Sequence, residues 1–334
     1  MNISTRRMFA VVAAVATLAV FAAPVSAQGK YLTIGTAGSS GSWYAFGGAL
    51  AKVLGDNVPD LQPRVEATKG GFANVDLLAK GEVDVALVPP FAADDAVKAK
   101  GEYAGKANYP LKAGGWFGCC ENILTVMVPK DSPIQTVMDF KGRQVNMGNP
   151  GSTNRFITYK VIDAIGLDPD SFTRLDIFIG PAVNRLKNRQ IDAIWWNATT
   201  PHPALVDASV SLDLRVVPIE GEVADKIVNT YDWMSRTVLK AGTYSGMDKD
   251  VNTVVSGVTV VMGQNISVDL GYQLTKAVFE NLEALRQIHP AFKPISLDTA
   301  LNGVNIALHP GVAKYYEEKG VKGLAEHQKK YGKL

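Results

Sequence analysis

The chain has 334 residues, of which 47% are hydrophobic, and its 34 basic and 32 acidic residues nearly balance. This balance gives no excess of positive charge for a nucleic-acid backbone, so nucleic acid is not expected as a partner. The sequence contains 2 cysteines, Cys119 and Cys120, and because they are adjacent they cannot cross-link distant segments. A chain of this length buries one large core or two moderate ones, and two lobes are the expected solution.

Residues 1–27 have the composition of a cleavable export signal. Arg6 and Arg7 precede an apolar stretch over residues 8–23, and small residues stand before Gln28. The mature chain is therefore expected to begin near Gln28 in the periplasm, through either the general secretory or the twin-arginine route. No other run reaches the roughly 18–20 apolar residues of a membrane span, so a soluble mature protein, expected to be a monomer, is predicted.

A glycine- and hydroxyl-rich turn over residues 35–42 follows the first predicted strand and precedes a helical pattern. Glycines let the backbone approach a ligand closely, and the first N–H groups of a helix are unpaired and point outward. The turn is therefore predicted to bind a small anion; the alternative is a surface loop that binds nothing. The glycine spacing matches neither of the nucleotide phosphate motifs. The candidate contacts here are Gly38, Ser39, Ser40, Ser42, Trp43 and Tyr44.

Short β-prone segments alternate with helical ones, which predicts an α/β fold with mainly parallel sheets flanked by helices. A second glycine loop, residues 148–154, leads into another helix, so the opening arrangement is repeated. Residues 81–86 and 189–194 are near copies and indicate an internal repeat at the scale of a lobe. Two lobes would each present a helix N-terminus to one ligand.

The predicted organisation assigns residues 28–124 to the first part of lobe I, 125–220 to lobe II, and 221–334 to the return to lobe I with its C-terminal helices. Two crossings between the lobes would form a hinge. Further candidate ligand contacts lie near the ends of predicted strands in both lobes, where ligands bind in open parallel sheets. These candidates are Gly71, Phe72, Gly151, Ser152, Thr153, Arg155, Trp195, Trp196 and Asn197.

Arg155 is the predicted charge partner of the ligand, because a planar guanidinium can bind a carboxylate through two hydrogen bonds. The alternative is an exposed arginine that pairs with an acidic residue of its own lobe. Of Trp195 and Trp196, one is expected in the core, and the other is expected to cover the ligand while Asn197 donates its amide.

Cysteine and histidine give no metal signature. Cys119 and Cys120 form either a vicinal disulfide or two thiols, one packed and one partly exposed. The four histidines have no metal-ligand spacing, so turn, cap or surface roles are expected for His202, His289, His309 and His327. No metal and no cofactor is predicted.

The ordered segments resemble those of the TAXI solute receptors of tripartite ATP-independent periplasmic (TRAP) transporters, over nearly the whole mature chain. The resemblance rests on the opening turn with Trp43 and Tyr44, on residues 67–74 and 81–88, on 128–132, on the second glycine loop, and on residues 308–317. It implies a periplasmic, two-lobed binding protein that closes around a small carboxylate such as glutamate or 2-oxoglutarate. It also implies delivery of that ligand to a fused TRAP membrane subunit driven by an ion gradient.

The chain departs from this family pattern at two places. Asn154 and Arg155 stand where many relatives carry Glu, and residues 115–122 replace the usual stretch before the crossing strand. A binding protein for an ABC importer or a sensor kinase is therefore an alternative. An extracytoplasmic hydrolase is a distant one, because no nucleophile elbow or catalytic histidine context is found. An enzyme is not predicted.

Overall fold

The computed structural model describes residues 30–231 and 233–334, and the predicted export signal and the start at Gln28 lie outside them. The strands are β1 Lys30–Gly35, β2 Leu61–Glu66, β3 Val85–Val88, β4 Ala113–Pro129, β5 Gln144–Asn146, β6 Thr173–Leu175, β7 Ala193–Thr199, β8 Leu214–Val217, β9 Met234–Leu239 and β10 Val251–Gly263. The α-helices are α1 Ser42–Asn57, α2 Gly71–Lys80, α3 Pro90–Val97, α4 Thr153–Ile165, α5 Ile179–Lys187, α6 Pro203–Ser211, α7 Gly221–Thr230, α8 Val268–Glu280, α9 Leu282–Ile288, α10 Pro310–Glu318 and α11 Leu324–Tyr331.

The strands join in one hydrogen-bonded sheet of order β2-β1-β3-β10-β4-β7-β5-β6, with β8 paired to β4 and β9 to β10. Strand β1 runs parallel to β2 and β3, and strand β5 runs parallel to β6 and β7. The two long central strands, β4 and β10, are antiparallel to each other. The predicted α/β fold is confirmed, with parallel outer parts joined by an antiparallel centre.

Strands β4 and β10 carry the chain from one half of the molecule to the other. Strand β10 pairs with β9 over residues 251–256 and with β3 over residues 259–262. Strand β4 pairs with β7 only from Asn122 onward. We therefore call residues 30–118 and 258–334 lobe I, the described part of residues 122–255 lobe II, and residues 119–121 and 256–257 the crossing segments.

Separate hydrophobic cores support this division. In lobe I, helix α1 packs on the sheet and on the C-terminal helices, and the rings of Phe46 and Phe292 stack at 4.1 Å. In lobe II, Ile227 of α7, Met234 of β9 and Val254 of β10 join the same core as Trp195. The packing therefore keeps residues 221–254 in lobe II, which differs from the predicted return to lobe I at residue 221.

The helical segments near the C-terminus and before β5 are interrupted or short. Asn281 separates α8 from α9. A short 3₁₀ helix, Val137–Phe140, precedes β5. None of the helices in the described ranges has the length and apolar character that crossing a membrane requires.

Candidate functional site

A cavity of about 70 Å³ lies between the lobes, at the point where the N-terminal ends of five helices meet. Lobe I contributes the starts of α1 and α2. Lobe II contributes the starts of α4, α5 and α6. The residues at these starts that line the cavity are Ser42, Gly71, Thr153, Ile179 and His202.

Most of these helix starts have no side-chain cap. Helices α1, α2, α5 and α6 begin without a capping hydrogen bond from a side chain. Helix α4 is capped by Ser152, whose Oγ accepts a hydrogen bond from the backbone N–H of Arg155 at 3.2 Å. Because the first N–H groups of a helix lack intrahelical partners and carry partial positive charge, the uncapped ends make the cavity attractive to an anion.

The turn before α2 is held by the buried side chain of Asn74. Its Nδ2 donates to the carbonyl oxygens of Thr36 at 2.7 Å and of Leu87 at 2.8 Å, which ties the ends of β1 and β3 to the helix. The Thr68 hydroxyl donates to Asn74 Oδ1 at 2.7 Å and accepts from the Gly70 N–H at 3.0 Å. Gly70 has a φ of 107°, a left-handed conformation that favours glycine. This local network fixes where Lys69 and Gly71 stand.

The cavity wall carries positive charge only. Lys69 is the one charged side chain among the lining residues of the described chain, and it forms no ion pair with any described residue. No aspartate or glutamate lines the cavity within those residues. An ammonium group and several helix N-termini without a carboxylate favour a negatively charged ligand.

Three buried polar atoms in the cavity wall have no hydrogen-bond partner within the described residues: Thr153 Oγ1, Asn197 Oδ1 and His202 Nδ1. The exposed fractions of these residues are 4%, 4% and 2%. An unpartnered buried polar group costs about 1–3 kcal/mol. All three belong to residues that line one cavity, so a bound solute with polar groups is the partner that would satisfy them.

His202 lies at the N-cap position of α6 and is neutral near pH 7. Burial lowers the pKa of its imidazole to about 4. Its backbone N–H donates to the Tyr244 hydroxyl at 3.2 Å, and its ring packs edge-to-face against Trp196 at 6.2 Å. The imidazole therefore adds no charge to the wall near pH 7.

The two lobes touch around the cavity. A Cβ added at Gly71 would lie 2.3 Å from Thr153 Oγ1, and one added at Gly38 would lie 3.5 Å from the Phe178 ring. The Asn149 amide donates to the Lys69 carbonyl oxygen across the interface at 3.5 Å. Glycine at position 71 is thus required for the close approach of the lobes, and the arrangement is a closed one.

A polar network behind the cavity fixes its far wall. Asn122 Oδ1 accepts hydrogen bonds from Trp43 Nε1 at 3.2 Å and from the Thr199 hydroxyl at 3.0 Å. Asn154 Oδ1 accepts from the backbone N–H of Asn197, and Asn154 Nδ2 donates to the Met147 carbonyl oxygen at 3.2 Å. The Asn122 side chain of lobe II thus holds the Trp43 indole of lobe I in position.

Most of the candidate contacts from the sequence line this cavity: Gly38, Ser40, Ser42, Trp43, Gly71, Ser152, Thr153, Trp196 and Asn197. Their contact with a ligand stays a prediction. Other candidates lie off the cavity wall: Ser39, Tyr44, Phe72, Gly151, Arg155 and Trp195.

The position of Arg155 corrects the predicted charge partner. Its Nε donates to Asp176 Oδ2 at 2.8 Å, and its guanidinium lies 4.5 Å from the Tyr159 ring centroid. The side chain is therefore engaged within lobe II and is not among the residues that line the cavity, as the alternative considered for it describes. Lys69 is the charged side chain that does line it.

Trp195 is fully buried in the lobe II core, 5.6 Å from Phe140, as expected for one of the two tryptophans. Trp196 lines the cavity, and its contact with a ligand stays a prediction. Phe72 packs against other aromatic rings between the lobes. The polar and aromatic lining side chains that sequence reasoning did not select as contacts are Lys69, Asn122, Asn149, Asn154, Phe178 and His202.

The cysteines and the other histidines differ in part from expectation. Cys119 and Cys120 are both free and both buried, with exposed fractions of 3% and 9%, so neither thiol is partly exposed. His289 and His309 accept hydrogen bonds at helix starts, as cap roles require. His202 is instead a cavity residue. In the described part of the chain no three or more His, Cys, Asp or Glu side chains come together as a metal site.

Comparisons with known proteins give a family and a set of similar structures. The model of the NMT1-like family matches residues 34–320. The alkanesulfonate-binding protein SsuA from Xanthomonas axonopodis pv. citri, bound to MOPS, is 17% identical with a TM-score of 0.46, over 89% of this chain and 93% of that one. The putative L-cystine ABC transporter from Listeria monocytogenes is 14% identical with a TM-score of 0.45, over 78% and 94%.

A third similar structure is the arginine-, lysine-, histidine-binding protein ArtJ from Geobacillus stearothermophilus, which is 13% identical with a TM-score of 0.45 over 79% of this chain and 94% of that one. With TM-scores below 0.5, none of these similarities bears on the ligand of this chain. The match to the NMT1-like family, in contrast, covers residues 34–320 and therefore most of the chain.

Proposed function

The chain belongs to the NMT1-like family, a family of periplasmic solute-binding proteins, and from that premise we propose that it captures a small organic anion, a carboxylate first of all. The proposed mechanism is closure of the two lobes on the ligand. Contacts from both lobes exist together only in the closed form, so the ligand shifts the equilibrium toward it.

The observation that supports this proposal is the convergence of uncapped helix starts and Lys69 on one cavity without a carboxylate. The unpartnered atoms of Thr153, Asn197 and His202 add hydrogen-bonding capacity on the side of lobe II. A cavity of about 70 Å³ is far below the roughly 300–1,000 Å³ of drug-sized sites. The ligand is therefore proposed to be small.

The membrane partner is proposed as a transporter of one of two classes. The ordered sequence motifs resemble TAXI receptors and so suggest a TRAP permease. An ABC importer is the alternative drawn from the sequence, and it is the class named for the matched Listeria protein. Ligand uptake by cells that carry the protein separates the two, because an ABC importer requires ATP and a TRAP permease requires an ion gradient.

The ligand class is tested by thermal unfolding of purified residues 28–334 with carboxylates, sulfonates, amino acids and neutral sugars, after unfolding and refolding to remove carried-over ligand. A ligand at 100 times its Kd adds about 2.7 kcal/mol to the free energy of unfolding, which raises the melting temperature measurably. We expect the largest rise with a carboxylate. A rise with neutral sugars alone would contradict the anion proposal.

Lys69→Met tests the charge partner, and Arg155→Met is its matched control. Loss of a charge-assisted hydrogen bond is expected to raise the Kd of the ligand about tenfold or more in Lys69→Met. Arg155→Met is expected to leave the Kd unchanged, because Asp176 already occupies the guanidinium. Calorimetric titration measures both constants. The reverse pattern would return the charge-partner role to Arg155.

A further inference from the structure

The first crossing segment holds the only two cysteines of the chain, and their sulfur atoms lie together. Cys119 Sγ and Cys120 Sγ are 2.9 Å apart, and both residues are buried. Successive side chains of a regular strand point to opposite faces of the sheet, which keeps neighbouring sulfurs apart. The arrangement therefore needs a local irregularity in β4.

A β-bulge supplies this irregularity. In the pairing of β4 with β10, Cys120 stands opposite Val258 and Gly118 stands opposite Thr259, so Cys119 is an extra residue without a partner in β10. A bulge re-aims the side chains beside it and increases the local twist. On the other side of β4, pairing with β7 begins at Asn122. The cysteines thus occupy a bulged part of β4 that is not paired with β7.

The two cysteines border a space that is large enough for a small molecule. Both cysteines line a second, larger cleft between the lobes, of about 1020 Å³, which lies apart from the proposed ligand cavity. Cys120 is the more exposed of the two, and the Thr199 hydroxyl oxygen, which donates to Asn122 Oδ1, lies 3.3 Å from its Sγ. Because Cys120 is the more exposed residue and burial raises the pKa of the Cys119 thiol, Cys120 is expected to react first.

We propose that Cys119 and Cys120 form a redox modification site, which a small disulfide converts into a vicinal disulfide within the crossing segment. The Cys120 thiolate attacks one sulfur of the small disulfide and releases the first thiolate. Cys119 then attacks the sulfur of Cys120 in this mixed disulfide and releases the second. The two cysteines lose two electrons and two protons, and the small disulfide becomes two thiols.

The two cysteines lie in a segment that connects the lobes, so the backbone around them must adjust when one lobe moves relative to the other. Cys119 and Cys120 pack in the lobe I core, while Thr199, whose Oγ1 lies 3.3 Å from Cys120 Sγ, belongs to strand β7 of lobe II. A bond between neighbouring side chains closes a small ring around one peptide unit and restricts its dihedral angles. Oxidation is therefore expected to stiffen the hinge and to slow release of a bound ligand several-fold.

The test uses purified residues 28–334, treated with oxidised glutathione or with dithiothreitol, then denatured and alkylated with iodoacetamide. We expect the oxidised protein to lose about 2 Da and to take up no alkyl group, whereas the reduced protein takes up two. Cys119→Ser keeps the thiol that reacts first and is expected to carry a glutathione adduct on Cys120, whereas Cys120→Ser keeps only the more buried thiol and is expected to carry little. Two alkyl groups on the oxidised wild type, or glutathione adducts without ring closure, would overturn the proposal.

Stiffening of the hinge is measured separately from disulfide formation. The ligand found in the thermal screen is loaded on oxidised and on reduced protein, and its dissociation rate is followed by tryptophan fluorescence. A slower rate in the oxidised wild type, absent from a variant with both cysteines changed to serine, supports the hinge role. Equal rates would overturn that role, and the mass measurement judges the disulfide independently of any ligand.

Discussion

The lobes meet at two places of opposite chemistry, and one helix serves both. Thr153 at the start of α4 reaches the polar cavity, whereas Phe156, one turn later, packs between aromatic rings of both lobes. We call Phe72, Phe91, Phe156, Tyr231 and Trp233 the aromatic cluster. Phe72 and Phe91 belong to lobe I, and the other three belong to lobe II.

The aromatic cluster is satisfied without a ligand. The ring centroids of Phe72 and Phe156 lie 4.8 Å apart, those of Phe91 and Phe156 5.4 Å, and those of Phe91 and Trp233 4.5 Å. Aromatic pairs at such distances stabilise by about 0.5–1.5 kcal/mol beyond the burial of their area. These contacts join the lobes through apolar surface alone.

The polar cavity differs because three of its polar atoms have no partner in the described part of the chain. Thr153 Oγ1, Asn197 Oδ1 and His202 Nδ1 are buried and unpartnered within the described residues. The comparison suggests a division of labour, in which the aromatic cluster lowers the free-energy cost of closure and the polar cavity makes closure dependent on a particular solute. Variants on each side separate these roles.

The largest effect is expected from acidification, and it arises on the polar side. The pKa of His202 is about 4 in the folded protein and 6.5 in the unfolded chain, so the unfolded state binds the proton more tightly. The stabilising contribution is complete above pH 6.5 and is lost as the pH falls toward 4. It amounts to about 3 kcal/mol, at 1.36 kcal/mol for each pKa unit. Urea unfolding of wild type and His202→Gln between pH 7 and 4 measures it.

His202→Gln should flatten this pH dependence, while a variant of the aromatic cluster should keep it. The pKa values of His289, His309 and His327 are also lowered by burial, so part of the acid loss remains in any single variant. The informative quantity is the difference between the two curves. If His202→Gln loses as much stability on acidification as the wild type, the buried neutral imidazole is contradicted.

The sequence predicts those parts of the site that depend on local pattern. The two glycine turns predict the starts of α1 and α4. Because these helix starts form part of the cavity wall, the predicted residues Gly38, Ser42, Ser152 and Thr153 line it. Alternation of strands and helices likewise predicts the α/β fold. These signals are contained within a few consecutive residues, so no tertiary information is needed to find them.

The other parts depend on which distant residues meet. Asp176 lies 21 residues from Arg155 and takes its guanidinium, a pairing that no local pattern indicates. His202 contacts Trp196 and Tyr244, and these tertiary contacts are not visible in the sequence. From the sequence alone, a turn, cap or surface role is therefore expected for it. Lys69 precedes a glycine turn, and only the closed lobes bring it against the wall of lobe II.

Phe156→Ala removes contacts of the aromatic cluster and is expected to lower the free energy of unfolding by about 2 kcal/mol. This figure is below the 3–5 kcal/mol typical of fully buried phenylalanine, because Phe156 is only half-buried. The lobes should also separate more readily, which small-angle X-ray scattering detects as a larger radius of gyration without ligand. Val210→Ala is the control: that side chain is 75% exposed on α6, lies outside both the aromatic cluster and the cavity, and should change unfolding by less than about 0.5 kcal/mol. An unchanged radius in Phe156→Ala would argue against a role of the cluster in closure.

Thr153→Val is expected to have the smallest effect. It should raise the stability of the unliganded protein and weaken the binding of the ligand. The substitution keeps the shape of the side chain and removes a buried hydroxyl that has no partner, so the unliganded protein should gain up to about 1 kcal/mol of stability. The same change should weaken ligand binding about fivefold, since the hydroxyl is then missing from the closed cavity. Thr158→Val, one turn further along α4, removes a hydroxyl that donates to the Asn154 carbonyl oxygen at 2.8 Å, and it should destabilise the protein without acting on the ligand directly. If Thr153→Val instead loses stability without ligand, its hydroxyl already has a partner in the free protein, and the polar side would be as self-sufficient as the aromatic one.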